Sequence, residues 1–117
     1  MQDIDEEAGR VPGAEIFDLP ENLQILPSDV HIVKTYSNAF TKTELLDVLR
    51  KLGIDTVILT GYCAEYCVLS TCRGARDVDL TPILLRGALA SDKPENIKFV
   101  ENVNEIISYR ALKKVLE

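Results

Sequence analysis

The chain has 117 residues, 46% of them hydrophobic and 27% charged, and a formal net charge of -6. That is one ordinary globular domain at most, and its acidity gives nucleic acid no basic surface to bind. No apolar run approaches a membrane span, and the first residues are acidic rather than basic and then apolar, which argues against a membrane or a signal peptide. The three cysteines, Cys63, Cys67 and Cys72, cannot all pair with one another. Their C-x3-C-x4-C spacing fits no common zinc or iron–sulfur pattern. A reducing, cytoplasmic setting is expected.

Met1 to Gly13 is acidic and without periodicity, and reads as a loop or loose arm whose charges are solvated. Glu15 to Leu26 reads as irregular, with one helical turn near Pro20 to Leu23. Val30 to Lys34 is a short strand. His31 lies within it, where packing or surface is the commoner role. Lys34 ends this strand, and strand carboxyl ends form the ligand edge of a parallel α/β sheet. A solvated surface lysine is the rival on position alone.

Thr41 to Leu52 reads as a helix, with a capping box from Thr41 and Glu44 and an apolar stripe of Leu45, Leu46, Leu49 and Leu52. Gly53 stops it. The apolar run Thr56 to Thr60 is a buried strand. A second helix is expected from Glu65 or Cys67 to Ala75, then a strand from Leu80 to Leu85. Gly87 to Ser91 is a loop at that strand's carboxyl end. Ser91 or Asp92 should cap a helix beginning near Pro94, with Ile97, Val100 and Val103 on one face. Glu105 to Ser108 is a weak last strand, and Ser108 caps a terminal helix carrying Leu112, Val115 and Leu116. Strand–helix–strand order implies parallel strands. The fold class is α/β, a Rossmann-like three-layer parallel sheet with flanking helices and about four strands.

The chemistry concentrates between Ile54 and Asp77. An apolar strand runs into Gly61, and Cys67 follows where a new helix should begin. A thiol there sits among unpaired N–H groups at the positive end of the helix dipole, which favours the thiolate. The competing reading is that three small cysteines pack against a sheet. A nucleotide binder of Rossmann type would need a glycine-rich turn, and Gly61 stands alone.

Lys34-Thr35-Tyr36-Ser37-Asn38-Ala39-Phe40, followed by Thr43 and Leu45, resembles the K-x-x-x-S-A-F-x-x-T-x-L pattern of the isochorismatase-like cysteine hydrolases. Gly61 to Val68, with Thr71 and Ala75, resembles that family's G-x-x-x-x-x-C-V-x-x-T-x-x-x-A signature. The resemblance covers Pro12 to the C-terminus. It implies that Cys67 is the nucleophile and Lys34 its cationic partner in an Asp–Lys–Cys triad. It also implies a cis peptide between Tyr62 and Cys63, aiming the N–H groups of Cys63 and Cys67 at an oxyanion. Phe40 and Tyr66 become pocket candidates, and Cys72 is left to packing. The reaction implied is hydrolysis of an amide or carbamoyl C–N bond in a small-molecule substrate, through an acyl-thioester. The visible residues require no cofactor, and a metal is neither claimed nor excluded.

The family's aspartate ends its first strand, and no such strand is expected before Lys34. Asp3 and Asp5 fall in the polar arm and are assigned no role. The expectation is therefore a single domain over residues 1–117, truncated at its amino end relative to the family, with apolar surface that favours a homo-oligomer. The alternative is a catalytically impaired remnant of the fold that serves as an oligomeric or interaction protein.

Overall fold

A computed structural model describes residues 1–15 and 18–117. Ile16 and Phe17, within the stretch expected to be irregular, lie outside the described residues; the turn at Pro20 is present, with the Leu23 N–H donating to the Pro20 carbonyl at 3.0 Å. The described strands are β1 (Gln2–Asp3), β2 (Val33–Lys34), β3 (Thr56–Tyr62), β4 (Thr81–Ala90) and β5 (Ile106–Ile107). The helices are α1 (Leu45–Lys51), α2 (Leu69–Asp77), α3 (Pro94–Asn102) and α4 (Tyr109–Leu116), with a π-helical turn at Ala64–Val68 leading into α2. Every strand pair is parallel. β1 and β2 form one ladder, and β3, β4 and β5 form another in that order. The α/β class with parallel strands and flanking helices is as expected.

The amino-terminal arm departs from its reading. Gln2 pairs with Val33 and Asp3 with Lys34. The Gln2 N–H donates to the Ile32 carbonyl at 3.0 Å and the Ile4 N–H to the Lys34 carbonyl at 2.9 Å. A strand of two residues is too short to show a period of two, so its pairing comes from tertiary contact. The same brevity trims β2, which leaves His31 outside the ladder, exposed and against the side chain of Gln2.

Helix α1 begins later than the capping box predicts. Lys42 has φ 52, a left-handed conformation that breaks any helical start at Thr41. Glu44 is the N-cap and makes no side-chain capping bond. Thr43 does the work instead: its hydroxyl accepts from the Leu45 N–H at 3.3 Å and donates to the Ala39 carbonyl at 2.6 Å. Gly53, at φ 68, follows the last turn as a left-handed C-terminal residue should.

The core lies over β4. Ala64, Val68, Cys72, Leu84, Leu89 and Val100 are its buried cluster, and α2 and α3 both pack on β4. Small residues on α2 let that helix come close, with Cys72 and Ala75 fully buried. β4 runs past its expected end to Ala90, through a register shift opposite Leu59 and Gly61. Gly87 falls in the extended part, with φ 79, and its N–H donates to Glu101 at 3.1 Å. The N-cap of α3 is Lys93 rather than Ser91 or Asp92. Ser108 caps α4 as expected, accepting from the Ala111 N–H at 3.2 Å.

Candidate active site

Cys67 is carried by the connection between β3 and α2. The Tyr62–Cys63 peptide bond is cis. Cys63 is extended and serves as N-cap of the π-helical turn. The Tyr66 and Val68 N–H groups both donate to the Cys63 carbonyl, at 3.1 Å each. Helical structure thus starts at Ala64, before Cys67 rather than at it. Cys67 lies one turn inside, partly exposed, and lines a cavity together with Thr60 and Tyr62 of β3.

Lys34 is 93% shielded from solvent, at a relative exposure of 7%. A buried ammonium requires a partner for each of its three donors and a nearby negative charge. Lys34 has these: Nζ lies 3.2 Å from Asp3 Oδ1, 3.0 Å from the Tyr36 carbonyl and 3.3 Å from Cys67 Sγ. The ion pair with Asp3 supplies the charge. The structure thus joins Lys34 and Cys67, and it adds Asp3, which the sequence reading left in a solvated arm. Register explains the meeting: Asp3 is opposite Lys34 in the ladder. Asp5, two residues on, turns instead to Arg10, at 2.9 Å.

Around this trio the other thiols are quiet. Cys63 is buried, and burial pushes its thiol up from the ordinary cysteine range, with the Glu65 side chain adding to the shift. Cys72 is fully buried against Asn104, its Sγ 3.2 Å from Oδ1, and burial raises it too. Glu65 accepts from the Ser91 hydroxyl at 2.8 Å. That bond first, and the Cys63 thiol second, hold the carboxyl down at about 2. The Tyr62 hydroxyl donates to Asp92 at 3.0 Å, and this bond raises the phenol above its usual value. Both contacts tie the cis-peptide segment to the loop after β4.

Helix α2 fixes the loop that follows Lys34. The Thr71 hydroxyl accepts from the buried Ala39 N–H at 3.0 Å and reaches the Ser37 carbonyl at 3.4 Å. Asn38 packs onto Gly74, where a Cβ would fall on its amide. The Asn38 side-chain oxygen accepts from the Phe40 N–H at 3.0 Å.

Two cavities meet at Cys67. One of about 320 Å³ is lined by Lys34, Phe40, Leu45, Leu49, Val57, Leu59 and Cys67. The other, about 590 Å³, is lined by Asp3, Arg10, Ser37, Cys63, Tyr66 and Cys67. Phe40 and Tyr66 therefore face different spaces, and Tyr62 borders both. Among the described residues no group of three or more His, Cys, Asp or Glu side chains is placed to hold a metal ion. No helix among them is long and apolar enough to cross a membrane.

Known proteins resemble the chain in sequence and in fold. The chain is 32% identical over 79 residues to the ureidoacrylate amidohydrolase RutB of Pantoea ananatis, an alignment covering 68% of this chain and 32% of that protein. An isochorismatase-like hydrolase from Alkaliphilus metalliredigens superposes with a TM-score of 0.83 at 26% identity, over 90% of this chain and 60% of that one. A pyrazinamidase/nicotinamidase from Streptococcus mutans superposes with a TM-score of 0.60 at 34% identity, over 64% of this chain and 45% of that one. The chain thus spans about a third of the curated relative and under two thirds of either solved structure. The Isochorismatase domain family model matches residues 4–104, and the chain belongs to that family.

Proposed function

We propose that the chain is a cysteine hydrolase that cleaves an amide or carbamoyl C–N bond. The observation that carries this reading is the buried Lys34 ammonium bridging Asp3 Oδ1 and Cys67 Sγ. A cation at that distance stabilises negative charge on sulfur, and a carboxylate beside it can take the proton that sulfur gives up. The relatives named amidohydrolase and nicotinamidase support the choice of bond.

The steps balance as follows. Asp3 accepts the Cys67 thiol proton, and sulfur attacks the substrate carbonyl carbon. The carbonyl π pair moves onto oxygen, where the N–H groups of Cys63 and Cys67 receive it. The oxyanion collapses, the C–N bond breaks, and Asp3 returns its proton to the leaving nitrogen. A water molecule then gives a proton to Asp3 and attacks the thioester. The C–S bond breaks and Cys67 leaves, regaining a proton from Asp3. Lys34, in contact with both Asp3 and Cys67, holds the two reacting side chains about one ammonium. Every step uses groups of this chain, and the nucleophile needs a reducing setting such as the cytoplasm to remain a free thiol.

The alternative, a catalytically impaired remnant acting as an oligomeric or interaction protein, rests on a lysine without its aspartate and on apolar surface left uncovered; Asp3 beside Lys34 weighs against the first of these grounds. Ammonia release from a panel of primary amides and carbamoyl compounds tests the proposal. The expected result is release by the native chain from at least one compound and none by Cys67→Ala with its fold intact. Undiminished release by Cys67→Ala, or no release from any compound, would contradict it.

A further inference from the structure

Asp3 belongs to a strand of only two residues, and its side chain is 26% exposed. One ladder register alone does not fix a carboxylate rotamer, and the proposed proton transfers need Oδ1 kept on Lys34. The second oxygen supplies the constraint. Asp3 Oδ2 accepts from Arg10 Nη2 at 3.3 Å, and the same nitrogen lies 2.9 Å from Asp5 Oδ2.

Arg10 is delivered there by a tight turn. Asp5 and Arg10 exchange backbone bonds, N–H to carbonyl at 3.0 Å and 2.8 Å, as an isolated antiparallel bridge. Gly9 takes φ 74 just before Arg10, a conformation that favours glycine. The Ala8 N–H donates to Asp5 Oδ1 at 3.1 Å and tightens the turn. Arg10 Nε is buried without a hydrogen-bond partner. A buried donor left without a partner is unfavourable. An arginine with no task at this spot would relieve that by swinging into water. Its guanidinium stays because two carboxylates hold it.

We propose that Arg10 is a positioning residue that acts through Asp3, clamping Oδ2 so that Oδ1 remains on Lys34. This rests on the reading of Asp3 as the proton carrier. The rival is that Arg10 only ties down the amino-terminal arm.

Site-resolved alkylation of Cys67 by iodoacetamide separates the two and needs no substrate. Asp3→Asn should slow Cys67 alkylation by about tenfold, since its proton acceptor is gone. Arg10→Met should slow it by about three- to tenfold, and Arg10→Lys, which keeps a cation beside Asp3, should recover most of the loss. In an Asp3→Asn background, Arg10→Met should add nothing. Native-like alkylation by Arg10→Met overturns the inference, as does a full further slowing in the Asp3→Asn background. Should Arg10→Met not fold, Arg10→Gln takes its place under the same outcomes: slowed alkylation supports the clamp, and a native-like rate overturns it. Native-like alkylation by Asp3→Asn would instead sink the catalytic reading of Asp3, a result distinct from failure at Arg10.

Discussion

At the scale of single residues, the division of labour among three cysteines follows from their surroundings. Cys67 touches a buried ammonium, while Cys63 and Cys72 are buried and raised. The sequence showed the difference between Cys67 and Cys72 only through motif spacing. Asp3 was illegible, because Met1-Gln2-Asp3-Ile4 is too short to display any period and its partner is 31 residues away. Arg10 gave no signal for the same reason. Glu65 supplies a test of the electrostatics. Its folded value, about 2, lies below the ordinary 4.5. A depressed carboxylate contributes stability that is fully present above the ordinary value and lost as pH falls toward the folded one. In denaturant melts, the stability gap between the native chain and Glu65→Gln should be constant above about pH 4.5 and shrink between there and pH 2. A gap that does not change across that window would show that Ser91 does not hold an ionised Glu65.

At the scale of elements, α2 does more than cover the sheet. Its Thr71 and Gly74 grip the Ser37 to Phe40 loop, which follows directly from Lys34. This gives a physical meaning to the threonine of the motif, which spacing alone could not supply. Thr71→Val keeps the volume and removes the acceptor for the buried Ala39 N–H. It should destabilise the fold by about 1–3 kcal/mol, measured by urea denaturation. An unchanged midpoint would mean that Ala39 finds another acceptor at no cost. The strands β3 and β4 and the caps at Gly53 and Ser108 were legible, because apolar runs and punctuating residues are local signals, but β3, expected to be buried, has no buried residue. The start of α1 was not: a left-handed Lys42 overrides a plausible capping box. Nor was the π-helical turn, since a bond spanning five residues leaves no pattern of its own.

At the scale of the whole molecule, burial is concentrated on one side. Leu84 and Val100 are fully buried over β4, whereas α1 contains no buried residue. The stripe of Leu45, Leu46 and Leu49 is only half covered, and Leu52 is 64% exposed. A leucine stripe at helical spacing therefore marked the right face but overstated its depth. Leu84→Ala should cost about 3 kcal/mol, and Leu49→Ala about 1 kcal/mol or less, compared in the same denaturant melts. Equal losses would mean that α1 shares the core after all.

The catalytic account concerns a covalent bond to one sulfur, and that bond can be observed. The chain is mixed with para-nitrophenyl acetate, quenched in acid during turnover, digested and read by mass spectrometry. The account predicts an acetyl group on Cys67 that disappears in Cys67→Ala and diminishes when Lys34 is replaced by Met. An acetyl group on Cys63 or Cys72 with Cys67 unmodified, or labelling of Cys67 indifferent to Lys34, would contradict it.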